Sequence, residues 1–222
     1  MDKPVKSTGP GALPHYTRIR DQLRSDIVDG LFKGDERLVL AGLCERYGVS
    51  MPPIREALNQ LQVEGLVVIE PNRGARVREI TSDFIKDIFD IRILLEPALL
   101  VRSLPSLTEA DFSDLFEIQE QFEEAISQGD RSRMLAGNDR FHHRIYRVDP
   151  NREAIRLMRQ HDAVIGTMRR RFGYKADRLE QIIYEHHAIL RACRNRDADL
   201  AAAIATSHIR NSVTDLIDLT AS

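Results

Sequence analysis

Apolar positions recur at helical spacing over most of the chain, and the stretch where the period changes divides it in two. Ile19, Leu23 and Ile27 repeat every four residues, so Tyr16 to Val28 predicts a helix with one buried stripe. Gly30 and Gly34 end it and turn the chain. Leu40 to Tyr47 predicts a second short helix, with Leu40, Leu43 and Tyr47 on one side, and Gly48-Val49-Ser50 a tight turn. Met51 to Val63 predicts a third helix burying Ile54, Leu58 and Leu61. Its Pro52 and Pro53 fall in the first turn, where missing N–H groups cost little. The period then shortens. Leu66-Val67-Val68-Ile69 is strand-like, Pro71-Asn72-Arg73-Gly74 has turn chemistry, and Ala75-Arg76-Val77-Arg78 alternates as a return strand. Three helices and a terminal hairpin predict a winged helix-turn-helix over residues 15–80.

From residue 81 to 222 the pattern is helical throughout. It predicts six helices, at 82–103, 108–127, 131–147, 152–171, 177–194 and 197–219. Breaks come from Pro105, Gly129-Asp130, Asp149-Pro150-Asn151, Gly173 and Asn195-Arg196-Asp197, and Ser82, Thr108 and Asp197 are the expected N-caps. Short connections imply an antiparallel bundle. The fold class is therefore mainly α: a small winged domain followed by an all-α helical bundle.

Composition narrows the class further. The 222 residues are 42% hydrophobic and 30% charged, which excludes collagen, low-complexity and disulfide-scaffold proteins. No apolar run approaches the roughly 20 residues that span a bilayer, and residues 1–14 lack the apolar centre of a secretory signal, reading instead as a flexible arm. Two cysteines, Cys44 and Cys193, suggest reduced thiols and a cytoplasmic setting. A net charge of −2 argues against a uniformly basic protein but allows a local nucleic-acid-binding face.

That face is expected on the third helix, which would lie in the major groove. Its outward positions are Met51, Pro52, Arg55, Asn59 and Gln62. Arg55 can bond guanine edges or a phosphate, and Asn59, a turn deeper, the backbone. Ser50 is the expected N-cap, yet the N–H groups it would accept from belong to Pro52 and Pro53, which have none. Its hydroxyl is then free for a phosphate oxygen, unless the cap sits one residue away. The wing adds Arg73, Arg76 and Arg78 beside Gly74, where a bare backbone can approach a phosphate closely.

The stretch "CERYGVSMPPIREALNQLQVEGLVVIEPNRGARV" resembles the winged helix of the GntR family of bacterial transcription regulators, over about residues 15–80. The run GVS…P.REAL..L..EGLV…NRGA.V is far more specific than a bare helix-turn-helix pattern. The resemblance implies a dimer on a palindromic operator. Two positions depart from the family: Met51 and Ala41 stand where arginines are usual. A bidentate base contact is worth roughly 1–3 kcal/mol of discrimination, so their loss predicts a shifted or relaxed operator, with Met51 free to meet a thymine methyl.

The helical half carries a second chemistry. Met134, Asn138, Phe141, His142 and Ile145 form one stripe, which turns Asn138 and His142 into the bundle; Asp139 and His143 share the spacing but sit on the flank. His186 lies mid-stripe among Ile182, Ile183, Ile189 and Leu190, with His187 at the edge, and His208 shares a face with Ala201, Ala205 and Leu216. Three inward imidazoles and an amide converge from three helices, and each imidazole needs a hydrogen-bond partner or a metal. Imidazoles suit zinc, nickel, copper or iron.

Residues 81–222 resemble the FCD-type helical domain of the FadR subfamily, and the six-helix count its VanR-type branch. Carried over on "NDRFH", "EHHAIL" and "SHI", the resemblance implies a divalent metal, zinc or nickel, held by Asn138, His142, His186 and His208. Asp is commoner at the first of these positions, so an amide there implies weaker binding. Arg92 shares the inward stripe of Ile88, Leu95 and Leu99; its guanidinium fits either a carboxylate ligand or Glu96 one turn away. In resembling regulators an arginine here helps bind an organic-acid effector. "MRRRF" (168–172) faces solvent or lines the pocket, the former being the simpler reading, and Glu117 to Glu124 reads as an exposed acidic face. The whole predicts a homodimeric DNA-binding repressor, not an enzyme and not a membrane protein, that senses a small organic or sugar acid beside a metal. The segment 71–82 would transmit the change. The alternatives are a metal-independent sensor of another effector, such as an acyl-CoA, and a metallohydrolase, which the absence of HExxH disfavours.

Overall fold

The computed structural model describes residues 15–71 and 73–220. They form two compact units, one ending at Glu79 and the other beginning at Ile80. The arm expected over residues 1–14 lies outside the described residues, as does Asn72 of the wing turn.

The first unit contains α1 (His15–Val28), β1 (Arg37–Leu38), α2 (Leu40–Tyr47), α3 (Met51–Val63), β2 (Val67–Glu70) and β3 (Gly74–Val77). Ile19, Leu23 and Ile27 of α1 pack with Leu43 of α2 and with Ile54, Leu58 and Leu61 of α3, so the stripes read from the sequence are its core. Gly48, at φ +65°, supplies the left-handed turn between α2 and α3. Arg24 grips the end of α3 through two hydrogen bonds to Glu64, at 2.8 and 2.5 Å. The short β1 is an addition to the expected hairpin. It pairs antiparallel with β3, giving the order β1-β3-β2, with Arg37 opposite Arg76. Two residues are too few to show a period, which is why sequence patterning does not reveal it.

The second unit contains α4 (Ser82–Ser103), α5 (Glu109–Ser127), α6 (Arg131–Tyr146), α7 (Arg152–Phe172), α8 (Ala176–Arg194) and α9 (Ala198–Thr220), with a 3₁₀ turn at Leu104–Ser106. These are the six expected helices. Helix α4 packs along α9, α5 along α6 and α8, and α8 along α9. Thr108 caps α5 in a reciprocal box with Asp111. The cap of α4 is Thr81, one residue before the expected Ser82; its hydroxyl accepts the Phe84 N–H. The run 168–172 also departs from its simpler reading. Arg169 is buried, ion-pairs with Asp215 and donates to the carbonyls of Gly173 and Ser212, while Arg170 and Arg171 are exposed. One of three adjacent arginines thus braces the end of α7 against α9. Among the described residues, no helix is long and apolar enough to cross a membrane.

Candidate functional site

Helix α3 presents Met51, Pro52, Arg55, Asn59 and Gln62 to solvent while burying Ile54, Ala57, Leu58 and Leu61. Ser50 is its N-cap, at φ −74° and ψ 169°, and its exposed side chain makes no capping bond. The proline pair accounts for this: the amides a serine cap would serve lack hydrogens. On the wing, Gly74 sits at φ +85°, a left-handed conformation that L side chains rarely adopt. Arg73 is exposed and 3.5 Å from Glu70. Arg76 and Arg78 are more constrained than a free basic wing would be. Arg76 Nη1 donates to the carbonyl of Asp35 at 3.1 Å and to its carboxylate at 3.2 Å. Arg78 Nε donates to the Gly65 carbonyl at 2.6 Å and so braces the wing. Arg37, which sequence reasoning missed, stands across from Arg76, and its Nε lies 3.9 Å from where a Gly74 side chain would begin. It adds a basic group at the wing.

In the helical unit, α6, α8 and α9 bring His142, His186 and His208 together. Ring centroids are 5.2 Å apart for His142–His186, 5.0 Å for His142–His208 and 5.1 Å for His186–His208. One ligating atom from each lies within 4.8 Å of the others. The outer ring nitrogens face oxygens. His186 Nδ1 donates to Gln119 Oε1 at 2.8 Å, and that amide is oriented by its own Nε2 donating to Glu123 at 2.8 Å. His208 Nδ1 donates to Glu185 Oε2 at 2.7 Å. His142 Nδ1 is 3.9 Å from Glu96 Oε2, too far for a hydrogen bond. With Nδ1 protonated in His186 and His208, the Nε2 of each carries the lone pair. His186 Nε2 is buried without a hydrogen-bond partner, and so is Asn138 Oδ1. His186 is held flat by Phe141, stacked at 3.9 Å between centroids. An orphaned imidazole nitrogen, an orphaned amide oxygen and acceptor-locked tautomers are what a divalent metal requires, so these residues fit one.

Burial lowers the pKa of His142 and His186 well below the ordinary imidazole range. It lowers His208 too, against the opposing pull of Glu185. All three rings are therefore held neutral, the form that ligates. Burial raises the Glu185 carboxyl, but bonds from His208 and Asn211 and the charge of Arg178 outweigh it, bringing it to about 2. Gln119 and Glu185 were not legible in the sequence. Gln119 lies inside the run read as an exposed acidic face, and Glu185 is flanked by the histidine it does not serve.

Arg92 is buried and already engaged. Its Nη2 meets Glu96 Oε1 at 2.5 Å and its Nη1 meets Asp162 Oδ1 at 2.5 Å. Of the two partners open from sequence, Glu96 is the one in place, joined by Asp162 from α7. Burial raises the Glu96 carboxyl to about 7 even against Arg92. The flanking pair is engaged as well: His143 Nε2 lies 3.4 Å from Asp139 and 3.0 Å from Asp162. Beside the histidines, a void of about 10 Å³ is lined by Glu96, His142, Tyr146, Ile189, Ala205 and His208. It has room for an ion or a water, and not for an organic acid.

Comparison with known proteins agrees with both halves. Residues 15–77 match the bacterial regulatory proteins of the gntR family, and residues 87–211 match the FCD domain. The chain is 27% identical to the HTH-type transcriptional regulator YdhC of Bacillus subtilis, over 95% of this chain and 91% of that one. It is 27% identical to a gluconate operon transcriptional repressor of Bacillus licheniformis, over 82% and 77%. The solved structure of Escherichia coli McbR/YncC superposes with a TM-score of 0.73 at 22% identity, covering 93% of this chain and 99% of that one, and so shares the fold.

Proposed function

Because the chain belongs to the GntR family of bacterial regulatory proteins and carries an FCD domain, it is a DNA-binding transcription regulator, and we propose that it is a dimeric repressor gated by a metal-assisted acid sensor. The family and the relatives are regulators of transcription, which removes the metallohydrolase alternative. On DNA, Arg55 and Met51 read base edges from the start of α3. Ser50, Pro52 and Asn59 position that helix on the backbone, and Arg73, Arg76 and Gly74 set the wing against phosphates. Two-fold pairing of the chains presents two such units to a palindromic site. Repression is the reading favoured by the gluconate operon repressor among the relatives.

In the helical unit, Asn138, His142, His186 and His208 hold zinc or nickel. The observation that carries this is the buried, partnerless Nε2 of His186, whose ring lies 5.2 and 5.1 Å from those of His142 and His208. A bound divalent ion would supply an electrophilic point that accepts a carboxylate oxygen from the effector. Arg92 supplies the second grip once the incoming carboxylate takes the place of Glu96 or Asp162. That exchange cannot occur in the present void. The effector therefore binds an opened arrangement better than the closed one, and this differential affinity is what allows it to act on DNA binding.

The test has two arms. Fluorescence anisotropy on DNA from the region upstream of the gene should show sequence-specific binding that falls at least tenfold in Arg55→Ala. Equal, weak and nonspecific binding by both proteins would remove the assigned recognition residues. Metal analysis should find one zinc or nickel per chain, lost in His186→Ala. Protein that stays metal-free when offered both ions would leave the metal-independent sensor in its place, a reading favoured by the neutral Asn138.

A further inference from the structure

A second concave site opens on the helical unit, away from the histidine rings. It is a surface cavity of about 370 Å³ whose wall carries four guanidinium groups, Arg140, Arg144, Arg147 and Arg159, against two carboxylates, Asp114 and Glu117. Arg140 and Arg144 stand one turn apart near the end of α6, Arg147 is the C-cap of that helix, and Arg159 joins them from α7. Arg144 and Arg147 lie at the C-terminal end of α6, where cations complement the helix dipole, so helix stability alone accounts for their charge but not for Arg159 converging on the same wall.

The four are not equivalent. Arg144 is buried and neutralised, ion-paired to Asp111 and, at 2.7 Å, to Asp114; it frames the cavity. Arg140 donates to the uncharged Gln121 at 2.9 Å, and Glu117 accepts from the amide of the same Gln121 at 2.9 Å. Arg147 and Arg159 are exposed and make no hydrogen bond or ion pair among the described residues. Two planar forks without partners therefore stand on one concave wall, each able to take an oxyanion bidentately.

We propose that this cavity binds a small anion carrying two or more carboxylate or phosphate groups, at a site separate from the histidine centre. Arg147 and Arg159 each hold one acidic group, and Arg140 contributes the remaining charge. His143 also lines the cavity, and its ring reaches Asp162, which grips Arg92. A physical connection thus runs from the cavity to the buried ion pairs beside His142.

Isothermal titration calorimetry on the full chain at physiological ionic strength tests this, with tricarballylate as the carboxylate probe and fructose 1,6-bisphosphate as the phosphate probe. At least one should bind saturably to both metal-free and zinc-loaded protein, and which one binds identifies the class. Arg147→Ala/Arg159→Ala should weaken that binding roughly tenfold or more, with an unchanged melting temperature because both side chains are exposed and unpartnered. The proposal is overturned if neither probe binds, or if the double variant binds as the wild type does. Binding that requires zinc, or that is lost in His142→Ala but survives in the double variant, would place the anion at the histidine centre instead. Wild-type protein that binds neither probe, together with a double variant that loses operator affinity, would assign these arginines to DNA.

Discussion

Asn138 is where the candidate metal centre is weakest and most open to test. Its Oδ1 is buried with no partner, four residues before His142 on the same face of α6. An amide oxygen can ligate but brings no charge to a site whose other donors are neutral imidazoles. Replacing it with a carboxylate should have opposite effects in the two states. Asn138→Asp is expected to destabilise the metal-free protein by about 1–3 kcal/mol or more, because a buried carboxylate without a partner costs more than the neutral amide it replaces. It should also tighten zinc at least tenfold in competition with a chelating dye, restoring the lost stability. Unchanged zinc affinity in this variant would take Asn138 out of the ligand set. The neighbouring residues show how little a side chain's identity reveals about its task. His186 and His187 are adjacent, yet the first is fully buried with its ring stacked on Phe141, and the second bonds Glu123 at 2.7 Å near the surface.

Helix ends gave the clearest link from local sequence to stability. At the start of α5, Thr108 Oγ1 accepts the Asp111 amide at 3.2 Å, and Asp111 Oδ2 accepts the Thr108 amide at 2.7 Å. Removing such a cap costs about 1 kcal/mol, so Thr108→Ala should lower stability to urea by that amount. The Thr108 hydroxyl, donating to Asp111 Oδ2 at 2.6 Å, and the Thr108 amide, aided by Arg144, lower the Asp111 carboxyl to about 2. A depressed carboxylate contributes stability that is present above its ordinary value and lost as pH falls through its folded value. The difference in stability between wild type and Asp111→Asn should thus be full near neutral pH and shrink as pH falls from about 4 toward 2. A difference that persists undiminished at pH 3 would show that the carboxylate's charge is not what matters. At α3 the same logic runs in reverse: the proline pair removes the donors a cap needs and leaves Ser50 unused by the helix. An element that leaves its own cap idle has a hydroxyl to offer DNA.

Each of the two units has its own apolar core, so each can respond to ligand separately. Zinc held only in the helical unit should raise one calorimetric transition and not the other. At a hundredfold excess over the dissociation constant the gain is about 2.7 kcal/mol, a rise of roughly 5 °C or more. His186→Ala should abolish the rise, and wild-type protein indifferent to both zinc and nickel would end the metal reading. Periodicity, proline and glycine breaks, and the β-branched run were enough to predict every α-helix and both wing strands. These are local properties, set by which face of a segment must leave water. The same stripes turn His142, His186 and His208 inward, and the GVS…REAL motif by itself carries the resemblance to the family. What needed the tertiary structure was pairing between distant segments: Arg92 with Asp162, His186 with Gln119, Arg169 with Asp215, and β1 with β3. A period tells a side chain which way to point. Only packing decides which of several equally polar groups it meets there, because burial makes each charge or donor take the nearest partner that the bundle supplies.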